Sequence, residues 1–250
     1  MPFGADAVVA HRGLARLFPE NTRAAVLGAL RAGIPRVEID VQLTRDGVPV
    51  LWHDAGTERM TGVKADVREL TWNTLRRFSA HEPGRFGRRF RAERPCRLDA
   101  LAQTLAGEGG LKTLFVELKA ESLRRFGRTA MLALCAEALA PIRRRVVLIS
   151  FDLPVLALAR RLTRFALGPV LTRWSQGRSA ALRALRPDWI FVDQALLPAR
   201  GSLQPHFGRA RLCAYEVPDP LRARELLDRG LAAVETFRAD TLVQELGLYL

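Results

Sequence analysis

With the two-residue period of a strand, VEIDVQL at residues 37–43 places Glu38, Asp40 and Gln42 on one face and Val37, Ile39, Val41 and Leu43 on the other. The apolar face suits packing beneath helices, so the acids point the opposite way, into a barrel interior or a cleft. A second β-like run, Val48 to Trp52, follows Thr44-Arg45-Asp46-Gly47. Asp-Gly between two such runs is a strong hairpin signal, because both residues tolerate positive φ. With Asp46-Gly47 as a two-residue turn, Asp40 is expected opposite His53, where paired residues share a face.

The same pattern runs through the rest of the chain. A first strand starts near Phe3 and ends in Ala7-Val8-Val9-Ala10, and a helix is predicted over Arg23 to Ala32, with Asn21 or Thr22 as its N-cap and Gly33 as its stop. Further strands are predicted at 111–118, 145–150, 165–171, 189–193, 210–217 and 231–236. Helices are predicted at 99–106, 123–139, 154–162, 179–185, 220–229 and 242–250. Residues 71–78 suit a short helix, and 76–97, crowded with Arg, Gly and Pro, read as an irregular excursion. Apart from the returning hairpin arm, eight strands alternate with helices. Such alternation implies parallel pairing, and eight units predict an α/β (β/α)8 TIM barrel with a β-hairpin extension after strand 2, as one domain over residues 1–250. An open doubly wound sheet is the competing layout, weakened because no Gly-rich phosphate fingerprint follows a strand.

Composition changes little in this picture. A length of 250 residues suits one large α/β domain, and an apolar fraction of 48% suits a soluble globular chain. No apolar run approaches the roughly 20 residues of a membrane span. The N-terminus lacks a basic start followed by an apolar core, so no signal peptide is predicted. Cys96, Cys135 and Cys213 have no paired spacing, which predicts reduced thiols in a cytoplasmic protein rather than a disulfide frame or zinc site; Cys213, inside an apolar run, is expected in the core. The net charge of +13 comes mainly from arginine, with Lys64, Lys112 and Lys119 the lysines. A basic balance favours anionic partners or reflects a generally arginine-coated surface. Nucleic acid is not expected, because aromatics are few and no binding motif is recognised.

Barrels carry their chemistry at the C-terminal ends of strands. There the chain places His11 and Arg12 after strand one, Glu38 and Asp40 on strand two, His53 after the hairpin, and Glu117 and Lys119 at the end of LFVELK. Three carboxylates suit a hard divalent cation, Mg²⁺ or Ca²⁺, with water completing the shell. Two imidazoles suit acid and base work on opposite sides of one reaction. Arg12 and Lys119 suit the charge of a phosphate. Together these are the parts of a metal-assisted phosphoester cleavage. Each also has a structural reading: a histidine at a strand end, a solvated Glu-x-Asp face, a Glu117–Lys119 pair. His81 and His206 lie in loop-like contexts and receive no role.

HRG at 11–13, PENT at 19–22, EID at 38–40, LTRDGVPVLWHD at 43–54 and VELK at 116–119 resemble, in order and spacing, the glycerophosphodiester phosphodiesterase family. RMTG at 59–62 and SFDLPVL at 150–156 also look like its motifs. The likeness is dense over residues 8–62 and thinner to about residue 175. It implies a TIM-type barrel, a divalent cation, usually Ca²⁺ or Mg²⁺, and hydrolysis of a small glycerophosphodiester to glycerol 3-phosphate and an alcohol. By resemblance, His11 and His53 match the catalytic pair; Glu38, Asp40 and Glu117 match the metal ligands; Arg12 and Lys119 match the phosphate contacts. Glu20 matches a position near the site.

The C-terminal third departs from the pattern. Where the family usually has Trp-Thr-Val-Asn, this chain reads Tyr215-Glu216-Val217-Pro218, so Tyr215 is the expected substitute for an aromatic wall beside the substrate. Where Gly-Val-Asp-Gly-Ile-Ile-Thr-Asp is usual, residues 230–237 read GLAAVETF. These departures bear on recognition of the alcohol and leave two alternatives open. One is lysophospholipase D-type activity on a lysolipid, with the excursion at 76–97 and its Phe78, Phe86 and Phe90 resting weakly on an anionic membrane. The other is a catalytically silent binding protein of the same fold.

Overall fold

The computed structural model describes residues 3–203 and 208–248. His206 and the last two residues of the predicted closing helix lie outside these. Eight parallel strands close into a barrel: β1 (Val8–Ala10), β2 (Arg36–Leu43), β4 (Thr113–Leu118), β5 (Val146–Ser150), β6 (Ala166–Leu171), β7 (Trp189–Asp193), β8 (Arg211–Tyr215) and β9 (Ala233–Thr236). β1 pairs with both β9 and β2, which completes the ring. β3 (Pro49–Leu51) pairs antiparallel on β2 outside it. The predicted TIM barrel with a hairpin extension is the observed fold.

The barrel interior is filled by Val9, Phe115, Val147, Ile149, Val170, Trp189, Phe191, Cys213 and Ala233. Outward residues of the same strands, such as Val37, Ile39 and Val41, join a larger core beneath the helices. This is the alternation read in 37–43, and it turns Glu38 and Asp40 inward, where both are buried. Cys213 is fully buried in the interior, and the three cysteines are free. No helix among the described residues is long and apolar enough to cross a membrane.

The hairpin register differs from expectation by one residue. Val41 pairs with Leu51, Gln42 with Val50 and Leu43 with Pro49. Asp40 therefore faces Trp52, whose N–H donates to the Asp40 carbonyl at 3.0 Å, and not His53. The cause is a three-residue loop. Thr44 pairs with Val48, the Gly47 N–H returns to the Thr44 carbonyl at 2.9 Å, and Gly47 takes φ +78 after the turn, the geometry of a turn closed by a left-handed residue. The Asp46 carboxylate stabilises it by accepting from the Thr44 hydroxyl at 2.7 Å and the Trp72 N–H at 2.9 Å.

Other boundaries also moved. The helix expected over 123–139 is interrupted at Gly127, giving α6 (Ala120–Phe126) and α7 (Arg128–Ala138). Thr22, not Asn21, caps α1 (Arg23–Arg31), accepting from the Ala25 N–H at 3.1 Å. The excursion after β3 carries short helices, α2 (Glu58–Thr61) and α3 (Trp72–Leu75), which pack on a small core of Val50, Trp52, Met60, Val67 and Leu75, and α4 (Pro83–Phe86). Its aromatic rings are half-buried: Phe86 and Phe90 meet at 5.0 Å, Phe90 reaches Phe18, and Phe78 packs on the small core.

Candidate active site

At the C-terminal end of the strands, a cavity of about 130 Å³ is lined by His11, Arg12, Glu38, Asp40, His53, Glu117, Lys119, Tyr215 and Glu235, among others. A larger hollow of about 780 Å³ opens at the opposite end, between Thr113, Val146, Trp189 and Arg211. Among the described residues its lining has several arginines, no imidazole and only Asp188 as an acid, so the imidazoles and most acids gather at the smaller cavity.

The turn after β1 aims the first groups. Arg12 has φ +55 and Gly13 φ +79, so the chain doubles back and the Arg12 N–H donates to Glu38 Oε2 at 3.0 Å. Gly13 has no alternative here: a Cβ would meet the Ala25 backbone at 2.6 Å. The Arg12 side chain donates to Glu20 at 2.9 Å and its Nε faces Asp40 at 3.2 Å. His11 stacks on Phe237, with centroids 4.2 Å apart, and Arg12 lies over the same ring. Nε2 of His11 is 3.3 Å from Glu235 and 3.8 Å from Glu38. Burial, then the nearby Arg12 charge, pushes this imidazole down to about 3.

Register brings the acids of β2 and β4 side by side, since Asp40 pairs with Glu117. Lys119 Nζ bridges them, 3.3 Å from Asp40 and 3.1 Å from Glu117. Asn21 adds a two-point contact with Asp40, through its side-chain NH₂ at 2.8 Å and from the Asp40 N–H at 2.9 Å. Burial opposes ionisation of Asp40, but Lys119 and Arg12 prevail and hold it at about 2. Glu38 and Glu117 go the other way: burial first, then the Asp40 charge, raises both.

His53 arrives from a loop. The Gln42 side chain, inward on β2, donates to the His53 and Asp54 carbonyls at 3.0 and 2.5 Å. Asp54 then holds His53 Nδ1 at 2.7 Å, leaving Nε2 for the cavity. Tyr215 ends β8 half-buried, its phenol pushed up to about 12 by burial and then by Asp193. Glu20 does not line this cavity. It is buried behind Arg12, accepts also from Arg59 at 2.7 Å, and borders a neighbouring hollow with Phe237 and Arg238.

One oxygen from each of Glu38, Asp40 and Glu117 lies within 4.8 Å of the others. That donor set, with two of its three carboxyls raised by burial and then by the Asp40 charge, fits a hard divalent cation.

The sequence model of the glycerophosphoryl diester phosphodiesterase family matches residues 11–236. The chain belongs to this family. Among curated relatives, a glycerophosphodiester phosphodiesterase of Caldanaerobacter subterraneus is 39% identical over 87 residues, 35% of each chain. Glycerophosphodiester phosphodiesterase 1 of Rattus norvegicus is 35% identical over 112 residues, 44% of this chain and 33% of that one. The matched stretch thus spans about a third of these relatives. An Oleispira antarctica phosphodiesterase, solved with its product sn-glycerol-3-phosphate, has the same fold, with a TM-score of 0.81, 24% identity and 96% of both chains covered.

The sequence alone does not assign several residues of this site. Asn21, Asp54 and Arg59 stand in matched motifs that give them no role here, and Gln42 only shares the acidic face of its strand. Glu235 and Phe237 are departures from the family pattern, although a Glu inside an apolar strand is itself a signal.

Proposed function

We propose that this protein is a metal-dependent phosphodiesterase that hydrolyses a glycerophosphodiester to sn-glycerol 3-phosphate and an alcohol. The observation that carries this reading is the convergence, in one cavity, of His11, His53, Glu38, Asp40 and Glu117 with Arg12 and Lys119, in a chain of this family. Packing alone requires no such set, which argues against a silent binding protein.

Glu38, Asp40 and Glu117 would hold the divalent cation, Mg²⁺ or Ca²⁺. When bound, it neutralises charge on the phosphoryl oxygens and makes a nucleophilic hydroxyl, of water or of the substrate's glycerol, easier to deprotonate. Arg12 and Lys119, already turned toward the acids, receive the phosphate oxygens. One imidazole takes the nucleophile's proton and the other protonates the leaving alkoxide. Asp54 holds His53 in one tautomer, and Phe237 stacks on His11, so each ring is oriented before substrate arrives. Glu20 positions Arg12 from behind, and Tyr215 forms a wall for the alcohol or glycerol.

The three buried thiols suit a reducing compartment such as the cytoplasm. Contact with an anionic membrane is a weak, electrostatic proposal: Arg76, Arg77, Arg88 and Arg89 are exposed around rings that are themselves packed. Co-sedimentation with anionic vesicles at low salt, lost at high salt, tests it.

The test of function is product release from a panel of glycerophosphodiesters and lysolipids, after EDTA and then with Ca²⁺ or Mg²⁺ restored. Cation-dependent release of sn-glycerol 3-phosphate from deacylated substrates is expected. Release from lysolipids alone would favour the lysophospholipase D reading, and no release from any substrate would overturn both.

A further inference from the structure

Glu235 lies on β9 beside Val9 of β1 and turns into the barrel, where its side chain is 4% exposed. One oxygen, Oε1, is 3.3 Å from His11 Nε2. The other, Oε2, is shut away from solvent with no hydrogen-bond partner. A buried carboxylate oxygen without a partner is costly and calls for an explanation. The pattern quoted above has an apolar residue at this position, so packing does not require the acid.

The neighbours supply the explanation. Glu38, Glu235 and His11 each offer a ligand atom within 4.8 Å of the others, and Glu38 belongs equally to the set with Asp40 and Glu117. Glu117 and Asp40 act on Glu235 through space, and burial together with these charges raises its carboxyl well above the usual range. Buried Glu38, Asp40 and Glu235 and half-buried Glu117 thus share one field with two fixed cations, Arg12 and Lys119, and Arg12 is also engaged by Glu20. With all four carboxyls ionised the set is two positive charges short, which is the charge of one divalent cation.

We propose that Glu235 is a further ligand of the cation, bound through Oε2, with Glu38 shared between it and the Asp40–Glu117 side. This rests on the reading of Glu38, Asp40 and Glu117 as the cation site. Oε1 stays with His11, so one carboxylate ties the cation to the imidazole. A fourth carboxylate raises the number of available oxygens and so favours Ca²⁺, which takes six to eight, over Mg²⁺, which keeps several waters.

The test is calorimetric titration of the cation-free protein with Ca²⁺ and with Mg²⁺, without substrate, for wild type, Glu235→Gln, Glu235→Leu and Glu117→Gln. Both Glu235 variants should bind Ca²⁺ about tenfold or more weakly, with a smaller loss for Mg²⁺. In EDTA both should melt no lower than wild type, because each removes a buried carboxyl whose Oε2 has no partner and whose ionisation burial and the neighbouring acids oppose. Unchanged Ca²⁺ affinity in the Glu235 variants beside a loss in Glu117→Gln would overturn this inference alone. A lower melting temperature of both Glu235 variants in EDTA would overturn its premise. If wild type bound neither cation, or Glu117→Gln bound as wild type, the cation reading itself would fall.

Discussion

Nε of Arg59 donates to Oδ2 of Asp54 at 2.6 Å. Through that pair a residue on α2, outside the barrel strands, steadies His53, whose Nδ1 is held by the other Asp54 oxygen. The same guanidinium reaches Glu20 at 2.7 Å and Glu82 at 3.4 Å, and Glu20 holds Arg12. Arg59 therefore joins the supports of an imidazole and of Arg12, the proposed phosphate contact. Arg59→Met is expected to lower kcat about 10- to 100-fold, the usual loss when a second layer of contacts is removed, with a smaller change in KM. Steady-state kinetics on the best glycerophosphodiester would measure it.

His11→Ala and His53→Ala are each expected to cut turnover by about 100- to 10,000-fold, the scale of lost acid or base catalysis. Ca²⁺ binding, followed by calorimetry, should survive in both. Retained turnover in either variant would remove that residue from the mechanism.

Acid–cation competition sets a pH dependence. Glu38, Glu117 and Glu235 have folded-state carboxyls raised by burial and neighbouring charge, so without a cation the folded chain holds more protons than the unfolded one. That stability is fully present below the unfolded carboxyl value and is lost as pH rises through the raised values. Buried His11, lowered to about 3, works oppositely: its destabilisation appears below the unfolded value of 6.5 and is absent above it. From about pH 6.5, where His11 no longer contributes, to about pH 8, below the range in which the buried thiols begin to titrate, the raised acids are what changes. There the melting temperature in EDTA is expected to fall with pH, while saturating Ca²⁺, which binds the ionised carboxylates, widens its advantage. Thermal melts across that range, with and without Ca²⁺, check the sign.

Gly13→Ala tests the turn that aims His11 and Arg12. The new Cβ would clash with Ala25 and the residue would be held at φ +79. A loss of about 2–4 kcal/mol is expected, read from urea unfolding in EDTA.

Much of this site is written in local periodicity. Alternation in 37–43 settles which way Glu38 and Asp40 face, and strand–helix alternation settles the barrel. The register of β3 was not legible in the same way: a two- or three-residue loop fits Arg45-Asp46-Gly47, and one residue decides whether Trp52 or His53 faces Asp40. Contacts such as Asn21–Asp40 and Arg59–Glu20 join residues from different loops, where no period exists to read. Phe237 and Glu235 flank His11 only because β9 closes against β1, a pairing that links the two ends of the chain.

The most direct measurement is long-wavelength diffraction from crystals grown with Ca²⁺ and sn-glycerol 3-phosphate. The expected result is one anomalous peak at about 2.3–2.6 Å from oxygens of Glu38, Asp40 and Glu117, with the phosphate on Arg12 and Lys119 and both imidazoles within reach of it. A peak elsewhere, with those three acids still paired only to Arg12 and Lys119, would contradict it.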